Sequence, residues 1–283
     1  MTLSDTINAL PSLKELLTQH ELWAKKSLGQ NFLLNSSITD RIAASAKVAG
    51  EVVLEVGPGP GGLTRSLLKA GARRVIALEK DRRFVAFLQH VVDVSAGHLE
   101  VRDQDALKLS LAHLTRELGI DTLTIAANLP YNIGTQLLIQ WLHEIQHVKV
   151  MTLMFQKEVA QRIVATPRTS AYGRLSIICQ YMCNATILFD LPPSAFTPAP
   201  KVTSSVIQLT PKAHTAESLA LLPFIEKVTE KAFGQRRKML KGSLKGILGE
   251  EDLLKAFITP TARAEELVVE DFVRLAEVLR GRK

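Results

Sequence analysis

Cysteine is almost missing from this chain of 283 residues: only Cys179 and Cys183 occur. Four residues apart, they would lie one turn apart on a helix, a poor geometry for a disulfide, and a chain without disulfides fits a reducing cytosol. A four-ligand zinc site would need two further ligands near this pair, and none of the seven histidines has matching spacing. No apolar run reaches the roughly 20 residues that span a bilayer, and Asp5 stands where a secretory leader would carry basic charge. Internal repeats and low-complexity tracts are missing too. These absences lead to the expectation of a cytoplasmic protein that binds neither metal nor membrane; it is expected to be a monomer.

What is present is ordinary globular composition, 46% hydrophobic and 22% charged. The length suits one larger domain with a smaller appendage. A formal net charge of +7 leans toward a polyanionic partner, because clustered Lys and Arg gain affinity for phosphates by releasing counterions.

Residues 1–22 read as a leading helix, broken by the Gly-containing loop Lys25-Lys26-Ser27-Leu28-Gly29-Gln30-Asn31-Phe32-Leu33. Apolar runs at 52–56, 74–78, 99–102 and 123–127 then alternate with stretches of helical period, the pattern of βα units in a parallel sheet. A fifth strand is expected at 148–155, helices at 156–165 and 175–182, and an antiparallel pair at 185–189 and 202–209. Beyond Pro211 strand patterning stops. The expected fold class is α/β, a Rossmann-like doubly wound sheet over 1–211, with 1–35 as leading helix and cofactor loop. An all-helical domain is expected at 212–283, with the boundary near Lys212.

The strand at 52–56 runs into Gly57-Pro58-Gly59-Pro60-Gly61-Gly62-Leu63-Thr64. Gly57, Gly59 and Gly62 satisfy the G-x-G-x-x-G spacing of dinucleotide folds, which cradle a pyrophosphate on backbone N–H groups. Pro58 and Pro60 have no N–H to offer. A ligand without phosphate, S-adenosylmethionine, fits the loop better. Glu79, ending the second strand, is placed to accept two ribose hydroxyls, and Asp105, just past the third, to accept from an adenine amino group. Each carboxylate taken alone reads equally well as solvated surface; their positions at successive strand ends favour the site.

Asn128-Leu129-Pro130-Tyr131 closes the fourth strand. An exocyclic adenine amine is a poor nucleophile because its lone pair is delocalised into the ring. The Asn128 side-chain oxygen and a backbone carbonyl before or at Pro130 could accept both amine hydrogens and favour a pyramidal nitrogen. No strong base is required, since the task is one of aim and electrostatics. Tyr131 offers a face on which an extruded base can stack. Standing alone, the tetrapeptide would read as a turn; at this strand end, beside the glycine loop, it reads as a site.

Together these residues resemble the small-subunit branch of the ribosomal RNA adenine N6,N6-dimethyltransferase family over nearly the whole chain. The resemblance is carried by Gln30-Asn31-Phe32-Leu33, Glu55-Val56-Gly57-Pro58-Gly59, Glu79, Asp105, Asn128-Leu129-Pro130-Tyr131-Asn132 and Phe196-Thr197-Pro198-Ala199-Pro200-Lys201-Val202. It implies cofactor contacts from Gln30, Asn31, Leu33, Gly57, Gly59, Glu79, Asp105 and Asn128, with Asn128, Leu129, Pro130 and Tyr131 at the target base. Phe196 would form a second aromatic wall, although its residue context alone reads as well as core or lid. It further implies four methyl transfers to two adjacent adenosines in a hairpin loop near the 3′ end of small-subunit ribosomal RNA, a role in subunit maturation, and the small ribosomal subunit as partner.

Arg236, Arg237, Lys238 and Lys241 fall in a stretch with no acidic residue between Glu230 and Glu250. Beside Phe233, they are expected to track RNA phosphates rather than form a merely solvated helix face. Lys80, Arg82 and Arg83 are expected to be ordinary surface charges, and Arg174 receives no catalytic role.

Two alternatives stand close beside this reading, and a third ranks below them. The related macrolide-resistance family, which methylates large-subunit RNA, shares the cofactor loop and the Asn-x-Pro-aromatic motif, but chain length and residues 196–202 favour the small-subunit branch. The other is an assembly factor whose methylation is incidental. DNA adenine methylation ranks last, because Leu129 departs from the Pro-Pro-Tyr of those enzymes.

Glu79→Ala is expected to weaken S-adenosylmethionine binding by about 1 to 3 kcal/mol, through loss of a charged acceptor, and to leave folding intact. Calorimetric titration of the folded variant checks the first part, and unfolding curves the second.

Overall fold

A computed structural model describes residues 2–24 and 29–282; positions 25–28 of the expected loop lie outside the described residues. The strands are β1 (Phe32–Leu33), β2 (Val52–Val56), β3 (Arg74–Glu79), β4 (Leu99–Asp103), β5 (Leu123–Asn128), β6 (Val148–Gln156), β7 (Cys183–Leu191), β8 (Phe196–Thr197) and β9 (Ser204–Pro211). Seven form one sheet in the order β4-β3-β2-β5-β6-β9-β7, while β1 and β8 form a separate two-stranded ladder.

From β4 through β6 the sheet is parallel. β2 shows why: its Val-Val-Leu-Glu-Val run is buried at all five positions, as a strand covered by helices on both faces must be. The crossover helix Gly62–Lys69 leads from β2 to β3 on one side, and β5 flanks β2 on the other. The direction of winding therefore reverses between β2 and β5, and a crevice opens at their carboxyl ends.

β9 runs antiparallel to β6, from Met151↔Leu209 to Gln156↔Ser204. It lies between β6 and β7. The two strands expected at 185–189 and 202–209 are thus neighbours, but β9 is also an interior strand of the main sheet. Its continuous burial over Ser204 to Ile207 marks that position.

The leading segment is two helices, Leu3–Asn8 and Leu13–Gln19, not one. Pro11 cannot continue the first, and Ser12 begins the second through a reciprocal cap: the Glu15 N–H donates to Ser12 Oγ (3.3 Å) and the Ser12 N–H to Glu15 Oε2 (3.2 Å). The guanidinium of Arg65, on the crossover helix, donates to the Pro11 carbonyl at 2.7 Å and holds the link between the pair.

The final segment of the second unit begins at Pro211, beside the expected boundary near Lys212, but an earlier segment belongs to that unit as well. The chain forms two compact units, one of Met1–Lys157 with Ile187–Thr210, the other of Glu158–Thr186 with Pro211–Lys283. The helix Arg174–Met182 joins the C-terminal helices because its neighbourhood supplies their core: Tyr172 and Ile177 are buried with Leu221, Ile225, Val228, Phe272 and Leu275. Tyr172 also donates its hydroxyl to the Leu267 carbonyl at 2.8 Å, which accounts for its complete burial.

Candidate active site

The crevice between β2 and β5 is a cavity within the first unit. Gln30, Asn31, Leu33, Gly57, Gly59, Glu79, Asp105, Asn128, Leu129, Pro130 and Tyr131 all line it. Eleven of the twelve residues expected at the cofactor and target base are therefore brought together from the loop before β1 and the ends of β2, β3, β4 and β5. Phe196 is the exception. Its side chain is 4% exposed within the apolar core beside Leu33, its partner across the β1/β8 ladder, so it is not a wall of this cavity.

The glycines are required by geometry at two positions. Gly59 has φ of 52°, and its N–H donates to Glu79 Oε2 at 3.0 Å. At position 62 a Cβ would sit 2.3 Å from the Leu33 carbonyl oxygen. The loop thus turns in the left-handed region, then passes directly against the backbone of the β1 segment.

Glu79 is not a solvated strand end. It is buried, and besides Gly59 its carboxylate accepts the N–H groups of Lys80 and Asp81, each at 2.8 Å on Oε1. Burial raises its pKa, and the backbone donors pull against that rise. The expectation that Glu79→Ala spares folding is therefore corrected: it would strand three donors, at about 1 to 3 kcal/mol for each one left buried and unpaired. Glu79→Gln retains an acceptor oxygen and is the better probe of the ligand contact.

Asp105 receives Lys80 Nζ at 2.7 Å on Oδ2 and the Leu107 N–H at 3.1 Å on Oδ1. The Lys80 bond is the main cause of its lowered pKa. Lys80 lines the cavity and is more than the surface charge expected of it, while Arg83 is paired with Asp81. Asp81 also accepts from Gln30 Nε2 at 3.2 Å, tying the loop before β1 to the end of β3.

At the end of β5 the Asn128 amide Nδ2 donates to the Asn31 carbonyl at 3.1 Å, which leaves Oδ1 as its acceptor end. The Pro130 carbonyl is occupied, accepting the N–H groups of Ile133 (3.2 Å) and Gly134 (3.0 Å) as the next helix begins. Among the described residues no backbone N–H takes the Leu129 carbonyl. Of the two carbonyls considered from sequence, Leu129 is the one available. The Tyr131 hydroxyl lies 2.6 Å from Ser204 Oγ; burial raises the phenol pKa and this bond opposes the rise.

Two residues were missed from sequence. Ser204 carries no local signal, standing 73 positions from Tyr131. Glu55 is a lone acid in an apolar strand, and that anomaly was the available signal. It is almost completely buried, accepts the Thr64 hydroxyl at 2.6 Å on Oε2, and burial pushes its carboxyl up to about 8.

The basic run, in the second unit, is only partly free. Arg236 donates to the carbonyls of Ser170 and Tyr172, both at 3.1 Å, and pairs with Glu265 at 3.7 Å. Lys241 pairs with Glu250 at 3.5 Å. Phe233 stacks on Phe272 with ring centroids 5.7 Å apart, which makes it a packing residue. Arg237 and Lys238 are exposed and have no ion pair among the described residues. Also among the described residues, no group of three or more His, Cys, Asp or Glu could hold a metal ion.

The model of the ribosomal RNA adenine dimethylase family matches residues 22–280. The chain is similar to ribosomal RNA small subunit methyltransferase A of Mesorhizobium japonicum, with 52% identity covering 95% of this chain and 98% of that protein. Among solved structures it is similar to a dimethyladenosine transferase from Plasmodium falciparum, at 27% identity and a TM-score of 0.71, covering 85% of this chain and 94% of that one. It is also similar to the 23S rRNA methyltransferase ErmE, at 26% identity and a TM-score of 0.64, covering 88% and 100%.

The buried Glu55 implies a pH dependence of folding. The folded chain keeps this carboxyl protonated up to about pH 8, whereas the ordinary value is 4.5. Between those values the native state binds the extra proton, so its contribution is complete below 4.5 and is lost as pH rises toward 8, at up to about 1.4 kcal/mol per pH unit. Glu55→Gln should be gaining on the wild type throughout that window. Urea unfolding from pH 5 to 8 checks this; parallel slopes for the two proteins would mean that Glu55 is ionised in the fold.

Proposed function

The chain belongs to the ribosomal RNA adenine dimethylase family, and from that premise we propose that it transfers methyl groups from S-adenosylmethionine to N6 of two adjacent adenosines in a hairpin loop near the 3′ end of small-subunit ribosomal RNA. Its partner is the small ribosomal subunit, its setting the cytoplasm, its role subunit maturation, and it acts as a monomer without metal. No helix among the described residues is long and apolar enough to cross a membrane.

One observation carries the reading: Asn128, whose Oδ1 is its acceptor end, and Leu129, whose carbonyl takes no backbone N–H among the described residues, both line the crevice next to the glycine loop. Two acceptors are what a primary amine needs if both hydrogens are to be held while the lone pair is aimed along a methyl–sulfur bond. S-adenosylmethionine supplies that methyl on a cationic sulfur. The residues present suit it. Gly57 and Gly59 admit close backbone approach, Glu79 accepts ribose hydroxyls, and Asp105, kept ionised by Lys80, accepts from the cofactor's adenine amine. Gln30, Asn31 and Leu33 close the cavity from the loop before β1. Tyr131 stacks on the target base. In the second unit Arg237 and Lys238 follow RNA phosphates, with Arg236 and Lys241 supporting the surface through their own pairs.

The deciding experiment gives labelled S-adenosylmethionine and undermethylated small or large subunits to the protein and maps the modified nucleotides. Label on two adjacent small-subunit adenosines is the expected result, and label on large subunits would transfer the chain to the macrolide-resistance type. At saturating S-adenosylmethionine, Asn128→Ala should slow methylation by about two to three orders of magnitude, the usual cost of one preorganised polar contact at a reacting centre. Particle affinity, which rests on many phosphate contacts, should change little; a wild-type rate would reduce the motif to a turn. Replacing Arg237 and Lys238 with Gln should flatten the salt dependence of particle binding by up to about one unit of slope per lost phosphate contact. Filter binding across a salt series reads this directly.

A further inference from the structure

Ser204 and Tyr131 meet at 2.6 Å between their hydroxyl oxygens, and no motif in the sequence joins them. We propose that Ser204 is a positioning residue for methyl transfer, tethering the Tyr131 phenol so that the ring stands as a fixed wall for the extruded adenine. The inference rests on the reading of Tyr131 as that wall.

Ser204 is a fixed point. It is fully buried at the start of β9, in register with Gln156 of β6. Lys157 holds both of its neighbours. Its backbone N–H donates to the Thr203 carbonyl at 2.9 Å, and its Nζ donates to Asp190 Oδ2 at 2.6 Å. Asp190 Oδ1 in turn accepts the Ser205 hydroxyl at 2.6 Å. Because side chains alternate along a strand, anchoring Ser205 on one face fixes the direction of Ser204 on the other.

Tyr131 is held at its backbone end as well, since the preceding Pro130 has a ring-restricted φ and a carbonyl bonded to Ile133 and Gly134. Between these ends only the two side-chain dihedrals could vary, and the Ser204 contact removes that freedom before a base arrives. Stacking then incurs less ordering cost than it would on a mobile ring. The alternative role, in which Ser204 only satisfies a half-buried phenol, would affect folding stability and leave the rate of the bound complex alone.

Single-turnover methylation of undermethylated small subunits, at saturating labelled S-adenosylmethionine, separates the two roles. Ser204→Ala and Tyr131→Phe should each slow the step by about tenfold, the scale of one net hydrogen bond, and the double variant should be no slower than the slower single. Affinities for cofactor and particle should stay within about twofold, as expected when a contact acts mainly at the reacting centre. A Ser204→Ala rate within about twofold of wild type, or losses that multiply in the double variant, would overturn the tether. If Ser204→Ala fails to fold, Tyr131→Phe carries the same test, because it breaks the contact from the other side. Tyr131→Ala run in parallel keeps the two claims apart. A wild-type rate there defeats the stacking wall itself, whereas a dead Tyr131→Ala beside wild-type Ser204→Ala and Tyr131→Phe defeats only the tether.

Discussion

One hydrogen bond, from the Asn128 amide to the Asn31 carbonyl, decides what the crevice can offer a ligand. A carboxamide has a donor end and an acceptor end, and a primary amine is held through its hydrogens by acceptors. With the donor end engaged by backbone, the acceptor end is the one presented. The bond joins residues 97 apart, so it forms only once the segment before β1 has docked across the carboxyl edge of the sheet. Several other features serve that docking. A bare Gly62 lets the Leu33 carbonyl come close, Gln30 reaches Asp81, and Arg65 secures the two leading helices through Pro11.

The same edge concentrates negative charge. Glu55 and Glu79 are both buried and burial raises the pKa of each, with the charge of Glu79 adding to the rise at Glu55, yet their partners differ. Glu79 collects three backbone donors, which oppose the rise that burial imposes, while Glu55 is held by Thr64 alone and its carboxyl is pushed up to about 8. A crevice that takes a cationic sulfonium thus contains one acid held by N–H groups, one held by Thr64, and a third, Asp105, balanced by Lys80. The attraction is graded across the cavity.

The parallel half of the fold was legible because its strands are continuous apolar runs separated by helical period, and β2, β3, β5 and β6 fall within a residue or so of where the pattern ends. Eleven cavity-lining residues were legible because each ends a strand or follows a glycine turn on one sheet edge. What escaped was set by contacts distant in sequence. Tyr172 and Ile177 carry no local mark of the C-terminal helices that close over them, so the membership of Glu158–Thr186 in the second unit was not legible. Arg236 looks like a phosphate contact until the Ser170 and Tyr172 carbonyls claim its guanidinium. Phe196 stands in a motif, but its position opposite Leu33 in a two-rung ladder turns it into core.

That ladder has a mechanical meaning. Two rungs are too few to persist by backbone bonds alone; β1 and β8 stay joined because Phe32, Leu33 and Phe196 are all buried, in two adjoining apolar clusters. The cavity rim at Asn31 is consequently spliced to the proline-rich loop beyond Phe196. A displacement of either strand must carry the other with it or expose three large apolar side chains to water. Two stretches of chain more than 160 residues apart therefore behave as a single stiff lip.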